Sequence, residues 1–502
     1  MIWEVLKKEI RSNIGSPKVV ITYAVCAVLV LSAMLTGAVT YLSLKQETEL
    51  QAAAEKERLR SIYDFNSDFL QQGVRIFRRP DVLSVLVSGV EGDAAQRGVV
   101  NSFLNPGFDV SKFNSTPILA VFGLLDLGFI VKIILSLFVI LFTFDAISGE
   151  KELGTLKLNF ANSVRRSDFI IGKLIGNFLL LLLPFIIPLL VGLLILQFIP
   201  GIHFTADAWI RLSLIVLAFV LYLLAFYGMG MMVSALTKRP AVSFLILLML
   251  WVLFIVIVPR ISVLAAQNVY PVPPIDDVRK MYGAEFGPAQ YEFMSHINDE
   301  LKELRAEAAR REPLRPVIAN ERSMAEYEER MEEFRAWSEE ARSDFMQEII
   351  QGHEEFSLSM QRRGQEIAHE QDLKQERQNQ LAIGLSRLSS PAGALTFAVN
   401  RLSKTGVYSS DKVFRNNVEA YLQTLMDYYH EQIYENPMLV NYGAASTEPM
   451  DVSSVYPDQS AFVEEPLDDS IESTLQDFAV LAILSIIFFS IAFVAFIRYD
   501  VR

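Results

Sequence analysis

Six apolar runs, each close to the length that crosses a lipid bilayer, constrain this chain more than any other feature of its sequence. A helix needs about 20 mainly apolar residues to cross the hydrocarbon layer. The fourth and fifth runs are separated by Thr-Lys-Arg-Pro at 237–240, where two cations and a helix-breaking proline predict a tight turn at a membrane face. The sequence therefore predicts an all-α, polytopic protein with six transmembrane helices, at residues 19–44, 127–147, 174–200, 212–236, 241–258 and 478–497.

Lysine and arginine in the short connections indicate the cytoplasmic side of a membrane protein. If each run crosses once, the cations of the chain ends and of the even-to-odd connections fall on one side: Lys7, Lys8, Arg11, Lys18, Lys151, Lys157, Arg165, Arg166, Lys173, Lys238, Arg239, Arg498 and Arg502. We therefore expect a multi-pass protein of the cell (inner) membrane with both termini in the cytoplasm. An outer segment at 45–126 and a large, mainly helical domain at 259–477 then lie outside.

Residues 1–18 carry an apolar stripe at helical spacing, with most of the cations off that stripe. The stripe consists of Ile2, Trp3, Leu6 and Ile10. This pattern is typical of an interfacial helix that lies along the inner leaflet. An ordinary helical lead-in to the first span is the alternative.

The outer segments read mainly as helix. Between 282 and 385, apolar residues recur at three- and four-residue steps in an acidic background, which predicts long amphipathic helices. Pro313 and Pro316 interrupt the pattern, so at least two helices, arranged as an antiparallel pair, are expected to project from the membrane. Further helices are predicted at about 46–72 and about 411–433.

Composition and motifs exclude several classes of function. The chain is 52% hydrophobic with a net charge of −13, and its acidic outer stretches are unsuited to nucleic acid. A phosphate-binding Gly-x-x-x-x-Gly-Lys-Ser/Thr loop, a His-Glu-x-x-His pair and a Gly-x-Ser-x-Gly elbow are all missing from the sequence. We expect no enzyme active site, metal site or cofactor, and Cys26 as the sole cysteine permits no intrachain disulfide.

Five polar residues lie in or beside the predicted spans, where charge is costly and often functional. They are Asp126, Lys132, Asp145, Asn177 and Arg211. Asp126, Asp145 and Arg211 are close enough to the interfaces to be wetted, and the Lys132 side chain is long enough to reach outward. A structural role is the simpler interpretation for all five, and Lys132 is kept as a possible transport-pathway residue.

The connection after the second run, residues 148–173, is the most informative stretch of the chain. It reads Phe-Asp-Ala-Ile-Ser-Gly-Glu-Lys-Glu-Leu-Gly-Thr-Leu-Lys-Leu from 144 to 158, then Asn-Ser-Val-Arg-Arg at 162–166 and Gly-Lys at 172–173. A polar helix bounded by glycines suits docking onto a cytoplasmic partner. A solvated connection with ordinary glycine caps is the alternative.

This connection resembles that of export-type ATP-binding cassette (ABC) permeases, in which an acidic residue and Gly-Thr-Leu follow the second span. A small-residue/Arg turn and Gly-Lys then open the third. The six-run layout, the opening helix and the terminal Arg-Tyr-Asp-Val-Arg are similar too. The large domain between the fifth and sixth runs resembles the branch that includes relatives of gliding-motility and copper-enzyme-maturation permeases.

The resemblance implies that two permease copies, or a copy and a paralogue, pair in the lipid bilayer, each engaging a separate ABC ATPase subunit. It places ATPase coupling at Glu150, Glu152, Gly154, Thr155, Leu156, Arg165 and Arg166. The leading hypothesis is a permease for export or extrusion. The alternatives are a mechanotransmission protein that moves its outer helices against an extracytoplasmic partner, and a membrane scaffold without an ATPase.

Overall fold

The computed structural model describes most of the chain, and the architecture below refers to that part. The described residues are 3, 7, 11, 16–63, 65, 68–69, 72–89, 96–101, 107–108, 126–155, 166–314, 321–406, 412–435, 449–458 and 462–499.

Six helices in the described residues are long and apolar enough to cross a membrane, which confirms the predicted all-α polytopic class. We call them spans 1 to 6: Pro17–Leu59, Leu127–Glu152, Ser167–Gln197, Ala206–Leu236, Pro240–Val269 and Leu467–Ile497. The end of the bundle that carries Ser16 and Arg498 is the terminal side, and the opposite end is the hairpin side.

Several spans extend beyond the predicted apolar runs. Span 1 begins after Ser16, whose hydroxyl caps the helix by accepting from the Val19 amide, and it continues to Leu59. The predicted helix over about 46–72 is therefore the far end of span 1, and it stops well before 72. Span 3 begins at Ser167, within the predicted 148–173 connection. The hydropathy pattern marks only the apolar part of a helix, and the first turns of span 3 contain polar residues. The other proposed segment boundaries stay predictions.

Span 4 occupies the centre of the bundle, and its side chains are buried along most of its length. Its glycines allow neighbouring helices to approach closely. A Cβ on Gly230 would lie 2.0 Å from Thr143 Oγ1 of span 2, so only glycine permits this contact. Phe219, Tyr222 and Phe226 fill the remaining space and are buried. Span 4 therefore sets the spacing of the helices around it.

Two long helices form an antiparallel hairpin after span 5, which confirms the predicted helix pair. The arms are α1 (Ile275–Arg311) and α2 (Glu321–Ser389). As residue numbers increase along α1, those of the contacting residues on α2 decrease, as expected of antiparallel helices. The contacts are Glu285 with Arg363, Phe293 with Phe356, and Arg311 with Trp337. The Phe293 and Phe356 rings are stacked, with centroids 4.6 Å apart. At 1.5 Å per residue, the 69 residues of α2 span about 100 Å.

Beyond the hairpin, the chain forms a buried helix and a small second core. Helix α3 (Pro391–Leu402) packs between spans 4 and 6. Helix α4 (Val413–Glu435) covers a three-stranded antiparallel sheet of β1 (Val74–Phe77), β2 (Arg97–Val100) and β3 (Gly107–Phe108). The sheet is a feature that the sequence did not predict, because its strands are only two to four residues long.

Candidate functional site

The turn that ends span 2 is bound to span 4 through one hydroxyl. Ser234 Oγ accepts hydrogen bonds from the amides of Ile147 and Ser148, each at 3.0 Å. The same hydroxyl donates to the Phe144 carbonyl oxygen at 3.1 Å. These contacts satisfy backbone groups that a helix break leaves unpaired. The turn is therefore held at a fixed position against span 4.

Ion pairs bind the same turn to spans 1 and 3. Glu150, on the short helix Ser148–Glu152, lies with Oε1 2.5 Å from Lys173 Nζ of span 3, and both side chains are largely buried. Asp145 pairs with Lys18 of span 1 at 3.1 Å, where both groups are more exposed. The first pair matters more for stability, because burial reduces the screening that weakens the second.

Lys151 connects the turn to the ends of spans 4 and 6. Its ammonium donates to the carbonyl oxygens of Ala235 and Thr237, which end span 4. A cation at this position stabilises the carbonyl end of a helix. The ammonium also lies 4.5 Å from the centre of the Tyr499 ring, just after span 6. We call residues 144–151 with these partners the clamp.

The residues that follow the clamp, 152–155, form an exposed tip. Leu153 is 79% exposed, so that its apolar side chain is accessible to a partner. Gly154 has φ +72°, a conformation that favours glycine, and a Cβ there would meet open space. Thr155 Oγ1 donates to the Glu150 carbonyl oxygen at 3.4 Å, which closes the tip onto the short helix.

The structure brings together only part of the predicted coupling set. Glu150 is in the clamp, whereas Glu152, Gly154 and Thr155 are in the tip. Leu156 and Arg165 lie outside the described residues, and Arg166 begins the helix Arg166–Gln197. Sequence reasoning did not assign to the site Lys18, Lys151, Leu153, Lys173, Ser234 and Tyr499. Lys173 was signalled by its Gly-Lys motif, while Ser234 lies in an apolar run that gives no sign of its role.

Asp126, Asp145 and Arg211 have side-chain partners in the structure, and Lys132 has a backbone one. Asp126 caps span 2, accepting from the Phe129 amide at 2.7 Å and from the Ser88 amide at 3.0 Å. The Lys132 carbonyl oxygen accepts from Tyr222 Oη at 2.7 Å, and its side chain is half-buried. A transport role for Lys132 stays a prediction.

Arg211 differs from the expectation that it is wetted at the interface, since its side chain is 1% exposed. It pairs with Asp207 at 2.8 Å, donates to Ser470 Oγ at 2.8 Å and donates to the Glu465 carbonyl oxygen at 2.9 Å. Span 6 and the segment before it cover the guanidinium, which a hydropathy pattern does not reveal. Arg211 thus joins spans 4 and 6 at the hairpin side.

Lys404 extends this hairpin-side cluster to other parts of the fold. Its ammonium lies 2.6 Å from Glu464, 3.5 Å from Asp81 and 3.7 Å from Asp207. Burial acts to lower the pKa of Lys404, but the negative charges of Asp81 and Glu464 outweigh it, so that the pKa is raised. Its backbone adopts φ +56°, which is uncommon outside glycine and costs conformational energy. The ion pairs offset that cost.

One possible metal-ligand group occurs on the hairpin. His296, Glu300 and Glu348 place one ligand atom each within 4.8 Å of one another. His296 and Glu348 are exposed and Glu300 is partly exposed, an arrangement common on helix surfaces without a metal. The cluster is not evidence of a metal site.

Six helices long and apolar enough to span a membrane, with the clamp linking spans 1, 2, 3, 4 and 6 at the terminal side, define a polytopic helical membrane protein. No protein with a curated description matches the chain. A family model described as ABC-2 family transporter protein matches residues 3–501, nearly the whole chain. The chain therefore belongs to the ABC-2 transporter family and is a transmembrane component of an ABC transporter.

Proposed function

We propose that this chain is the permease subunit of an ABC transporter, driven by a separate ATPase subunit that docks on the tip at 152–155. One observation carries the proposal: the tip is exposed, while the clamp behind it contacts spans 1, 3, 4 and 6. A push on the tip would therefore reach four spans at once. A solvated connection would have no need of so many contacts with the bundle.

The terminal side is the cytoplasmic side in this proposal. The clamp lysines Lys18, Lys151 and Lys173 and the Lys238-Arg239 turn lie there, in agreement with the preference of cations for cytoplasmic loops. The hairpin side then faces outward from the cell membrane, and movement of substrate across or out of the bilayer is export or extrusion. Nucleic acid has no part in this function.

The assembly we propose contains two permease copies, or one copy and a paralogue, and an ATPase subunit on each. Membership of the ABC-2 family implies both the ATP-binding subunit and dimerisation. In the isolated chain, span 5 is the least buried of the six spans: 11% of its most apolar 18-residue stretch is buried. Lipid or the second copy would cover that surface.

A second candidate function is mechanotransmission, in which ATP moves the outer helices against an extracytoplasmic partner without passage of a substrate. The hairpin favours it, because an antiparallel pair with arms of about 55 Å and about 100 Å can carry displacement away from the membrane. The same clamp and tip would serve either function.

The test of ATPase docking is the paired substitution of two exposed leucines. Leu153→Asp changes the tip, and Leu314→Asp makes the same change at a 94% exposed position beyond the end of α1. Tagged permeases are purified from membranes with the co-expressed ATPase, and ATP turnover of the recovered complex is measured. We expect loss of the ATPase with Leu153→Asp and full retention with Leu314→Asp. Equal retention by both variants would refute docking at the tip.

A further inference from the structure

The hairpin does not end at the membrane surface but is bound into the span bundle by its last residues. Helix α2 ends at Ser389, and Ser390 caps α3 by accepting from the amides of Ala392 and Gly393. A Cβ on Gly393 would lie 2.3 Å from the Ser386 carbonyl oxygen, so that the junction between α2 and α3 has no free space. We call residues 386–393 the hairpin foot.

Ser390 also bonds to an irregular segment of span 5. Span 5 contains a π-helical stretch, Leu253–Ile257, and Ser390 Oγ donates to the Phe254 carbonyl oxygen within it at 2.5 Å. A π-helical bulge disturbs the regular backbone ladder, is a common cause of helix kinks and is frequent at functional sites. The hairpin foot thus contacts span 5 at its irregular stretch.

A similar arrangement links this region to span 2. Span 2 contains a π-helical segment, Ile130–Leu135, and the Lys132 carbonyl oxygen in that segment accepts a hydrogen bond from Tyr222 Oη of span 4. Trp251 of span 5 donates through Nε1 to Ser136 Oγ of span 2 at 2.9 Å. Both irregular segments therefore have a carbonyl oxygen bonded by a hydroxyl from another element, and one indole joins the two spans.

An ion pair fixes the hairpin foot to span 6. Arg387 Nε lies 2.5 Å from Asp477 Oδ1, and the Asp477 side chain is 1% exposed. Arg387 Nη1 also donates to Gln476 Oε1 at 2.6 Å. A nearby cation stabilises a buried carboxylate, so this contact favours one position of the last turn of α2 relative to span 6.

We propose that Arg387 and Ser390 are positioning residues that make the hairpin angle follow spans 5 and 6. The proposal rests on the proposed function in one respect, namely that ATP moves the spans. A rotation of about 10° at the hairpin foot would move the far end of α2 by roughly 17 Å, given the rise of an α-helix. The angle between the hairpin and the bundle then depends on the conformation of spans 5 and 6.

Distance measurements between two spin labels test this coupling without any ATPase. One label is placed on the hairpin at Glu370→Cys and the other at the hairpin-side start of span 4 at Ala206→Cys, both exposed positions. Cys26 is replaced by serine to remove the native thiol. The permease in nanodiscs, with no nucleotide, should give one narrow distance distribution. Arg387→Ala and Ser390→Ala should each widen it at least about twofold.

Matched variants separate positioning from loss of fold. Arg363→Ala removes an exposed ion pair within the hairpin, to Glu285, and should leave the distribution narrow. Ser390→Thr keeps the hydroxyl and should restore the wild-type width. Ser390→Ala removes a single oxygen atom and carries the test if Arg387→Ala does not insert. An unchanged distribution in Ser390→Ala and in any inserted Arg387→Ala protein would overturn the proposal.

A second measurement keeps failure of this proposal distinct from failure of the proposed function. The doubly labelled wild-type permease is examined with its ATPase, with and without a non-hydrolysable ATP analogue. The analogue should shift the wild-type distance and leave the Arg387→Ala distribution broad. A wild-type distance that does not respond, with the nucleotide-free differences intact, would count against ATP-driven movement and not against the foot.

Discussion

Lys173 Nζ lies 2.5 Å from Glu150 Oε1, so the acidic residue expected to face an ATPase is already paired within its own chain. The pair joins the short helix after span 2 to span 3, and each side chain is less than one quarter exposed. We therefore propose that Glu150 acts on coupling only through the position of the tip, and that the exposed tip residues make the contact with the ATPase.

Reversing the Glu150 charge should destabilise the clamp. Glu150→Lys places two ammonium groups together, and breaking a buried ion pair typically costs about 3–5 kcal/mol. We expect a lower midpoint of thermal unfolding in detergent and loss of ATPase retention. The exchange Glu150→Lys with Lys173→Glu should recover most of both. Glu152→Lys, at an exposed tip position, is the control for stability and should change the free energy of unfolding by no more than about 0.5 kcal/mol.

Replacing Gly154 should impair docking without disturbing the bundle. Gly154→Leu forces a branched side chain into φ +72°, at a cost of about 1–2 kcal/mol confined to the tip. The bundle is unaffected, since a Cβ there meets open space. ATP turnover of the purified complex should fall while membrane insertion stays normal. Gly287→Leu, at an open position on α1, should leave both ATP turnover and membrane insertion as in the wild type. A fully active Gly154→Leu complex would contradict a coupling role for the tip.

Thiol labelling in intact cells tests the orientation. Glu328→Cys on α2 should react with a membrane-impermeant maleimide, whereas Thr155→Cys at the tip should react only after the cells are permeabilised. The native Cys26 is 1% exposed and should contribute little background. Equal labelling of both positions in intact cells would show that the assignment of the terminal side to the cytoplasm is wrong.

Arg211 should be among the most sensitive positions on the hairpin side. Arg211→Ala leaves Asp207 without its guanidinium partner and opens space next to Ser470. A loss of about 1–3 kcal/mol is expected, because Ser470 and the Glu465 carbonyl oxygen lose a buried donor, whereas Asp207 is partly exposed and stays near Lys404. The variant and the wild type are compared by limited proteolysis and by the thermal unfolding midpoint of the purified permease. Arg322→Ala, which removes an exposed pair on α2, should behave as wild type in both.

Shortening the hairpin distinguishes the two candidate functions. Replacement of 286–362 by a short glycine linker leaves Glu285 beside Arg363, so the remaining arms keep a native ion pair. We expect normal insertion and retained ATP turnover, because the clamp is at the other side. Under mechanotransmission the shortened chain should fail to complement a strain that lacks the gene. Full complementation would leave export without an outer partner as the better account.

The membrane class was predictable because each span contains a long run of mainly apolar residues. The hairpin was predictable for a similar reason, since its apolar stripe repeats at helical spacing over many turns. Local pattern gave no sign of the short strands β1 to β3, whose stability depends on contacts with α4 far along the chain. It also misplaced Arg211, because only the packing of span 6 removes that guanidinium from water.

The clamp shows a subtler limit of sequence reasoning. Polar residues near a membrane face suggested docking, yet Glu150 and Lys151 serve internal contacts and leave Leu153 as the exposed apolar side chain. Which member of such a loop faces inward depends on where spans 3 and 4 end, a property of the assembled bundle. Ser234 illustrates the same point, since its partners are 86 and 87 positions away.

The matched pairing of α1 with α2 restricts how the hairpin can change in evolution. A residue inserted into one arm alone would slide Phe293 past Phe356 and turn its neighbours onto another face. Length changes that preserve the stacked core must therefore arise as compensating insertions or deletions on both arms, in steps near seven residues. The arm lengths of hairpins in homologous chains should therefore differ by whole helical repeats and not by single residues.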